Sequence, residues 1–365
     1  MHPNHTEIME KKVLSGMNLA EIQQMTVELG LPKFTAKQIV DWLYRKQIYS
    51  IDEMTNLSKE ARRKLSEHYV LGRANYLKKV ESADGTEKYL FPTAKGTVET
   101  VYIPTADRAT LCISSQVGCK MGCKFCMTGK QGFEGQLTAA EIINQIYSIP
   151  HFEHLTNIVM MGQGEPFDNT EQVLRVCELM TASYGLAWSP KRITVSTVGL
   201  VPGLKRFLVE SECNLAISLH FPLPELRAEW MPAEKAYPIQ RLIDQLKEYD
   251  FCRNLRPGEA RAGNHQRRLS FEYILFKNIN DGEKHAKALI RMLKELDCRV
   301  NLIPYHTIPG AALQGVDEAK MKAFRDYLTH HGLFATLRAS RGQDIEAACG
   351  LLNTTHQQKN NQQPS

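Results

Sequence analysis

Hydrophobic residues recur along this chain at two different spacings, and the change between them predicts where helices and strands lie. In the first 75 residues apolar positions follow a helical spacing, which predicts helices at 19–29, 36–45 and 57–69. Alternating apolar and polar positions follow at 88–91 and 97–103, bounded by turn signals, and predict a β-hairpin.

Beyond residue 110 strand and helix patterns alternate. Seven strands are predicted, at 111–115, 157–162, 192–198, 214–220, 269–276, 300–305 and 333–339. Helices are predicted to begin near Thr138, Thr170, Val201, Pro238, Glu283 and Asp317, and Thr138 with Glu141 has the spacing of a capping box. This alternation is typical of an α/β fold, here a partial (β/α)6 barrel of the TIM type, with its chemistry at the carboxyl ends of the strands.

The pattern divides the chain into four predicted parts. These are a helical accessory domain at 1–75, a β-hairpin linker at 76–108, the barrel at 109–352 and a polar, disordered tail at 353–365. With 365 residues, 43% of them hydrophobic and 23% charged, the composition excludes a chain that is mainly disordered. No apolar run approaches the ~18 residues of a membrane span, and the first twelve residues are polar, so we expect a cytoplasmic protein without membrane contact.

Charge adds a weaker signal. The formal net charge is +5, and basic residues concentrate between Lys59 and Lys79 and again between Arg253 and Arg268. Such clusters can neutralise the phosphates of a nucleic acid, although solvated surface charge explains them equally well. The helical domain with its basic stretch is the predicted RNA-binding part, and the second cluster is either a further RNA contact or a surface insertion.

Three of the nine cysteines point to a metal centre. Cys119, Cys123 and Cys126 form a Cys-x-x-x-Cys-x-x-Cys loop directly after the first predicted barrel strand. A structural zinc site normally needs a fourth protein ligand, and no second Cys or His pair follows at the usual spacing. A four-iron cluster held by three thiolates leaves one iron open for another ligand. The alternatives are three cysteines that occur together by coincidence and a zinc site with a remote fourth ligand.

The same loop carries a resemblance to a known family. The segment LCISSQVGCKMGCKFCMTGKQGF, together with MGQGEPFDN, ITVSTVG, LAISLH, VNLIPYH and RGQDIEAACGLL, is similar to the RlmN/Cfr family of radical S-adenosylmethionine RNA methyltransferases, and more to its RlmN members. The likeness runs from about residue 16 to 352. It implies a radical S-adenosylmethionine barrel, a four-iron, four-sulfur (4Fe-4S) cluster on Cys119, Cys123 and Cys126, and two S-adenosylmethionine molecules per turnover.

The resemblance also implies a cofactor-binding set. Its members are Gly164, Glu165, Ser196, Ser218, Leu219, His220 and His306. Glu165 can pair the methionine amine, and Gly164 allows close approach of the backbone; the alternative is a tight turn with Glu165 in solvent. His306 stands where the family usually has Asn, and it can offer one donor or acceptor.

Two cysteines and one glutamate complete the implied reaction. Cys349 is methylated on sulfur and then forms a methylene bridge to the base, Cys112 resolves the bridge by forming a disulfide, and Glu99 is the base that removes a proton. Without the resemblance, each cysteine would be interpreted as a small buried apolar residue, as we expect for Cys177, Cys213, Cys252 and Cys298. Glu99 would be interpreted as an exposed strand residue.

The resemblance implies methylation at C2 of an adenine in the peptidyl-transferase centre of 23S rRNA, and of the adenine 3′ to the anticodon in some tRNAs. The expected partners are 23S rRNA, tRNA and a one-electron donor such as flavodoxin, with the enzyme a monomer. Two alternatives remain open: Cfr-like methylation at C8 of the same adenine, and a non-catalytic RNA-binding protein with a structural metal.

Overall fold

The structure is a computed structural model that describes residues 11–249, 251 and 267–352. The predicted tail at 353–365 and most of the second basic cluster, with Cys252, lie outside the described residues.

The N-terminal unit contains the three helices that the apolar spacing predicts. They are α1 (Leu19–Glu28), α2 (Thr35–Tyr44) and α3 (Lys59–His68), with a small parallel sheet of β1 (Lys12–Val13) and β2 (Tyr69–Val70). A capping box of Asn18 and Glu21 starts α1, and Ser58 caps α3. Apolar residues such as Ile22, Ile39 and Leu65 are fully buried between the elements, so the amphipathic faces build the core of this unit.

A ten-stranded sheet forms the rest of the molecule, and a separate hairpin flanks it. In chain order the strands are β3 (Lys78–Glu81), β4 (Glu87–Thr93), β5 (Gly96–Pro104), β6 (Ala109–Cys112), β7 (Gln116–Gly118), β8 (Phe133–Gln136), β9 (Asn157–Met160), β10 (Ile193–Thr197), β11 (Asn214–Ser218), β12 (Leu269–Leu275), β13 (Arg299–Pro304) and β14 (Ala335–Leu337). The hairpin is β7–β8, and the sheet order is β14-β13-β12-β11-β10-β9-β6-β5-β4-β3.

Seven strands of this sheet, β6 and β9 to β14, run parallel to one another, which confirms the predicted α/β barrel. Within the described residues the sheet does not close, because β14 and β3 are its two edges. Segment 76–108, expected to be a linker, is continuous with the barrel: β3, β4 and β5 pair antiparallel, and β5 pairs antiparallel with β6.

Helices connect the strands of this part of the chain. They are α4 (Met127–Gln131), α5 (Ala139–Tyr147), α6 (Thr170–Thr181), α7 (Val201–Glu210), α8 (Pro224–Trp230), α9 (Ile239–Glu248), α10 (Glu283–Leu293) and α11 (Glu318–His330). The predicted capping box of Thr138 and Glu141 starts α5. The pattern did not predict α4, α8 or the β7–β8 hairpin, because these elements are too short to show a period. In the described ranges, every helix is too short or too polar to cross a lipid bilayer.

The barrel encloses space rather than a packed apolar core. Side chains from the starts of the strands line a cavity of about 530 Å³, and among them are Thr110, Thr194, Asn214, Ser270 and Asn301. Large branched apolar residues fill the interior of a closed TIM barrel. Small and polar residues at these positions leave the interior of this open barrel accessible.

Candidate active site

The cysteine loop lies between β7 and α4 and is shaped by glycine. Gly118 has φ +73°, and a Cβ there would lie 1.8 Å from the carbonyl oxygen of Gly132, so only glycine fits. The amide of Cys119 donates to that same carbonyl at 2.8 Å. As a result Cys119, Cys123 and Cys126, all free thiols, line one cavity of about 150 Å³.

These three thiols fit an iron–sulfur cluster. Burial raises the pKa of Cys119 to about 12 and also raises the pKa of Cys123 and Cys126, so all three hold their protons until a positive metal centre displaces them. Within the described residues no three His, Cys, Asp or Glu side chains are grouped to hold a single metal ion. A four-iron cluster does not require three ligands to converge on one metal ion, since each thiolate binds a different iron.

Gly164 and Glu165 lie beside these thiols in the loop after β9. Gly164 has φ +101°, and a Cβ there would lie 2.6 Å from the Cβ of Gln116. Glu165 is buried, which excludes the solvated turn weighed above, and its carboxylate accepts N–H bonds from Phe167 (3.0 Å) and Val198 (2.8 Å). Burial raises the pKa of Glu165 to about 7, against the lowering effect of those donors. A cation in this cavity would favour the ionised form.

His220 lines the same cavity as a neutral hydrogen-bond donor. Burial, and secondarily the charge of Arg227, lower the pKa of His220 to about 3. Nδ1 accepts the amide N–H of Ile274 at 3.1 Å, so the proton of the neutral ring is on Nε2. Ser196 and Ser218, at the carboxyl ends of β10 and β11, complete the polar wall of the cavity.

Two implied cofactor residues lie elsewhere. Leu219 is fully buried and does not line the 150 Å³ cavity; its carbonyl accepts from Nε of Arg227 at 3.2 Å. His306 lines the larger cavity only, and its ring contacts Ser340 (Nε2–Oγ 2.7 Å) and Gln343. The structure therefore groups His306 with the C-terminal segment rather than with Glu165 and His220.

Cys112 and Cys349 come together although they lie at opposite ends of the barrel sequence. Cys112 ends β6, and the segment after β14 crosses back over the cysteine loop, where the amide of Met127 donates to the carbonyl of Gly350 at 2.8 Å. Burial raises the pKa of Cys112 to about 12, with a smaller contribution from the nearby Cys349. Cys112 is thus a buried, protonated thiol.

Glu99 lies on β5, one strand away from Cys112, and is fully buried. Its Oε1 lies 3.1 Å from Nζ of Lys88 on β4, and Lys88 is buried as well. The alternative of an exposed strand glutamate is wrong, because the sheet continues past β5 and the C-terminal segment covers its face.

The two cavities meet at a small set of side chains. Cys126, Glu272, Arg338 and Cys349 are among the residues that line both of them. A group carried by Cys349 is therefore within reach of the cysteine loop and of the barrel interior.

Sequence reasoning missed Arg338, which follows β14. Proximity to the sulfur of Cys349 raises the pKa of Arg338, and Arg338 in turn lowers the pKa of Cys112. Its Nη1 lies 3.7 Å from Oε2 of Glu272, a buried oxygen that has no hydrogen-bond partner among the residues that the structure describes. The sequence could have indicated Arg338 and Glu272 through their positions in or next to predicted barrel strands, where functional residues of such barrels lie.

Arg227 was also missed, and no local pattern marks it. It is fully buried, pairs with Glu234, and donates to the carbonyls of Val198 (2.6 Å) and Ser218 (3.1 Å). It therefore joins the ends of β10 and β11, where the cofactor cavity begins.

The first basic stretch is largely engaged within the protein. Five of its basic side chains donate to internal partners: Arg62, Arg63, Lys64, Arg73 and Lys79. Much of this charge therefore stabilises the N-terminal unit and its contact with the barrel.

Comparison with known proteins agrees with this architecture. Residues 13–71 match the family described as the ribosomal RNA large subunit methyltransferase N-terminal domain, and residues 113–256 match the radical SAM superfamily. The chain is 57% identical over 355 residues to a Bacteroides thetaiotaomicron protein named "Probable dual-specificity RNA methyltransferase RlmN", covering 97% of this chain and 99% of that one. It is 39% identical to the dual-specificity RNA methyltransferase RlmN of Halorhodospira halophila, covering 93% and 92%. A crystal structure of a radical SAM methyltransferase from Sphaerobacter thermophilus superposes with a TM-score of 0.83 at 38% identity, covering 94% of this chain and 99% of that chain.

Proposed function

Since the chain belongs to the RlmN family of radical S-adenosylmethionine RNA methyltransferases, we propose that it methylates C2 of an adenine in the peptidyl-transferase centre of 23S rRNA and of the adenine 3′ to the anticodon in tRNA. The observation that carries the proposal is the position of Cys349, which lines both the cysteine-loop cavity and the barrel interior. Family membership makes the chain an enzyme, so the non-catalytic alternative is not retained.

The cluster and S-adenosylmethionine, when bound, supply the one-electron chemistry that an unreactive ring carbon requires. Cys119, Cys123 and Cys126 would hold the cluster. Gly164, Glu165, Ser196, Ser218 and His220 would hold S-adenosylmethionine, with the carboxylate of Glu165 opposite its amine and Nε2 of His220 as a donor. Leu219 would contribute through its backbone alone, and His306 would act from the barrel side.

Cys349 carries the methyl group in this proposal. Its sulfur receives a methyl from one S-adenosylmethionine at the cofactor side and presents that carbon to the adenine in the barrel interior. The methyl carbon on Cys349 would then be activated by the one-electron chemistry that the cluster and a second S-adenosylmethionine supply when bound, which accounts for two per turnover. The result is a methylene bridge between Cys349 and the RNA.

Cys112 then releases the RNA. Its sulfur attacks the sulfur of Cys349, the S–S bond forms, and the sulfur–carbon electron pair stays with the methylene carbon, which takes up a proton. The attack needs a thiolate, and Arg338 is the neighbouring charge that favours one. Glu99 would accept the proton of the ring carbon, and Lys88 holds its carboxylate in place.

The RlmN relatives favour the C2 reaction over the Cfr-type C8 reaction. RNA substrates place the enzyme in the cytoplasm under this proposal, where a flavodoxin-like one-electron donor is available and a monomer is sufficient.

Mass spectrometry of the product nucleoside tests the proposal. RNA carrying deuterium at C2 of the target adenine should lose that label on methylation, whereas a C8 label should be retained. The matched control is Cys349→Ala, which should give no methylated adenine. Loss of the C8 label, or normal product from the Cys349→Ala enzyme, would exclude the scheme.

A further inference from the structure

The barrel interior opens at the amino ends of the strands, opposite the cysteine loop. The cavity of about 530 Å³ extends from Cys112 and Cys349 to the first residues of β6, β10, β11, β12 and β13. Its wall there is polar, with Thr110, Thr194 and Asn214 among its members. An interior of this kind admits a polar group, because hydroxyl and amide side chains can replace the water that the group gives up.

Three arginines line the cavity near this opening. Arg108 precedes β6, Arg268 precedes β12, and Arg299 begins β13. Arg108 donates to Oδ1 of Asn157 at 3.2 Å, and the guanidinium of Arg299 lies 5.8 Å from the ring centroid of Phe334.

The charges of the three arginines are not neutralised by the part of the chain that the structure describes. No ion pair between described residues includes any of them. Partial desolvation of its guanidinium lowers the pKa of Arg268, and the positive charges of Arg299 and then Arg108 add to that effect. Three like charges that form no ion pair within the described residues favour the binding of an anion.

Two neighbouring arginines of the second basic cluster, Arg267 and Arg268, lie in different environments. Arg267 is buried: its Nε donates to the carbonyl of Cys213 at 3.1 Å, and its guanidinium lies 4.2 Å from the ring centroid of Phe251. Arg268, the next residue, is exposed and lines the cavity. Arg267 is therefore structural, and Arg268 is available to a ligand.

We propose that the target nucleotide enters the barrel from the amino ends of the strands, and that Arg108, Arg268 and Arg299 bind the RNA phosphates on either side of it. The inference rests on the proposed function, which supplies RNA as the substrate. Planar guanidinium groups match the oxygens of a phosphodiester and can bind two of them at once. The cavity volume lies within the ~300–1,000 Å³ of pockets that enclose small molecules, which a single extruded nucleotide resembles in size.

This path brings the two reactants to Cys349 from opposite ends. S-adenosylmethionine would occupy the 150 Å³ cavity at the carboxyl ends of the strands, and the base would occupy the barrel interior. Neither has to pass the other, and Cys349 lies where the two spaces meet.

Fluorescence anisotropy of the cluster-loaded enzyme tests the proposal. The probe is a labelled RNA hairpin with one unpaired adenosine, and the variants are Arg108→Gln, Arg268→Gln and Arg299→Gln. Arg291→Gln, an exposed arginine of α10 outside the cavity, is the matched control. We expect each cavity variant to bind the hairpin roughly threefold to tenfold more weakly and to reduce the dependence of log K on log salt by roughly 0.7 to 0.9. The control should bind like the wild type.

A second arm does not depend on the folding of any variant. Methylphosphonates, which lack the phosphate charge, replace the phosphates of the hairpin one at a time. With the wild-type enzyme the largest loss of affinity should come from the two positions that flank the unpaired adenosine. Arg268→Gln should show a smaller loss there, because the contact is already absent.

Unchanged affinity in all three variants, or a methylphosphonate effect that is the same at every position, would overturn the proposal. An equal loss in Arg291→Gln would also overturn it, since it would indicate non-specific attraction. Methylation of Cys349 by S-adenosylmethionine, measured without RNA in the wild-type enzyme, reports separately on the proposed function. If that methylation is absent the function itself fails, whereas its presence with unaltered RNA binding rejects only the role of the arginines.

Discussion

Nζ of Lys88 lies 3.1 Å from Oε1 of Glu99, and both side chains are buried in the sheet. The same Nζ lies 3.3 Å from the carbonyl oxygen of Glu346, three residues before Cys349. Lys88 therefore links the proposed base to the segment that carries the methyl group. A buried pair of this kind holds its geometry because either charge left alone is costly.

Replacing Lys88 by methionine tests this link. The Lys88→Met enzyme should be less stable by about 3–5 kcal/mol, since it removes the buried cation that pairs with the Glu99 carboxylate. Lys88→Met combined with Glu99→Gln should recover much of that loss. Urea unfolding monitored by circular dichroism gives both values. A cost below about 1 kcal/mol for Lys88→Met would mean that the pair does not organise this part of the site.

Replacing Cys112 and replacing Cys349 should stop the reaction at different steps. Cys112→Ala should leave the enzyme covalently attached to RNA, because nothing breaks the methylene bridge. Cys349→Ala should form no attachment at all. Denaturing gels of enzyme incubated with labelled RNA distinguish the two. Cys177→Ala, a buried cysteine away from both cavities, is the control and should release methylated RNA normally.

Arg338 should control the reactivity of Cys112. Because burial raises the pKa of Cys112 to about 12 and Arg338 lowers it, Arg338→Met should move the pKa further up. Alkylation of Cys112 by iodoacetamide should therefore be slower at every pH below the pKa, and its pH profile should shift to higher pH. Arg338→Lys keeps the charge and should restore most of the rate.

An unshifted profile in Arg338→Met would contradict this role for the guanidinium. Peptide mass spectrometry assigns the label to Cys112 and separates it from Cys349. Arg291→Gln should leave the profile as it is in the wild type.

Glu165 should make S-adenosylmethionine binding depend on pH. Its pKa is raised by burial to about 7, and the ligand amine pairs only with the ionised form. Affinity should be constant above pH 7 and fall by up to about tenfold per unit as the pH drops below 7, with release of a proton on binding. Calorimetry in two buffers of different ionisation enthalpy measures both effects. A Glu165→Gln enzyme should bind weakly at every pH and show no such slope.

The same shift has a defined sign for stability. Without ligand, the folded state holds the Glu165 proton more tightly than the unfolded state, whose pKa is near 4.5. The contribution of this carboxyl to stability therefore decreases as the pH rises from about 4.5 to 7. Glu165→Gln should remove that decrease, and a melting-temperature profile across this range will show whether it does.

The local spacing of residues was sufficient to predict the architecture and part of the site. Helical and alternating spacing located the N-terminal helices and the seven parallel strands, because a buried face requires apolar residues at the period of its own element. The spacing of Cys119, Cys123 and Cys126 indicated a metal centre, since three ligands within one loop are close together in any fold that the loop adopts. The roles of Glu99, Cys112 and Cys349 came from resemblance and remain proposals.

Only the tertiary structure shows which residues from distant segments of the sequence lie close together. The side chains of Arg338, Glu272 and Cys112 come from strands or strand ends far apart in sequence, and only the parallel sheet brings them around Cys349. Burial is likewise a property of the whole fold. A glutamate carboxyl has a pKa near 4.5 in water, but the pKa of Glu165 is raised to about 7 because the folded chain excludes water from it. No local spacing encodes the electrostatic environment that results.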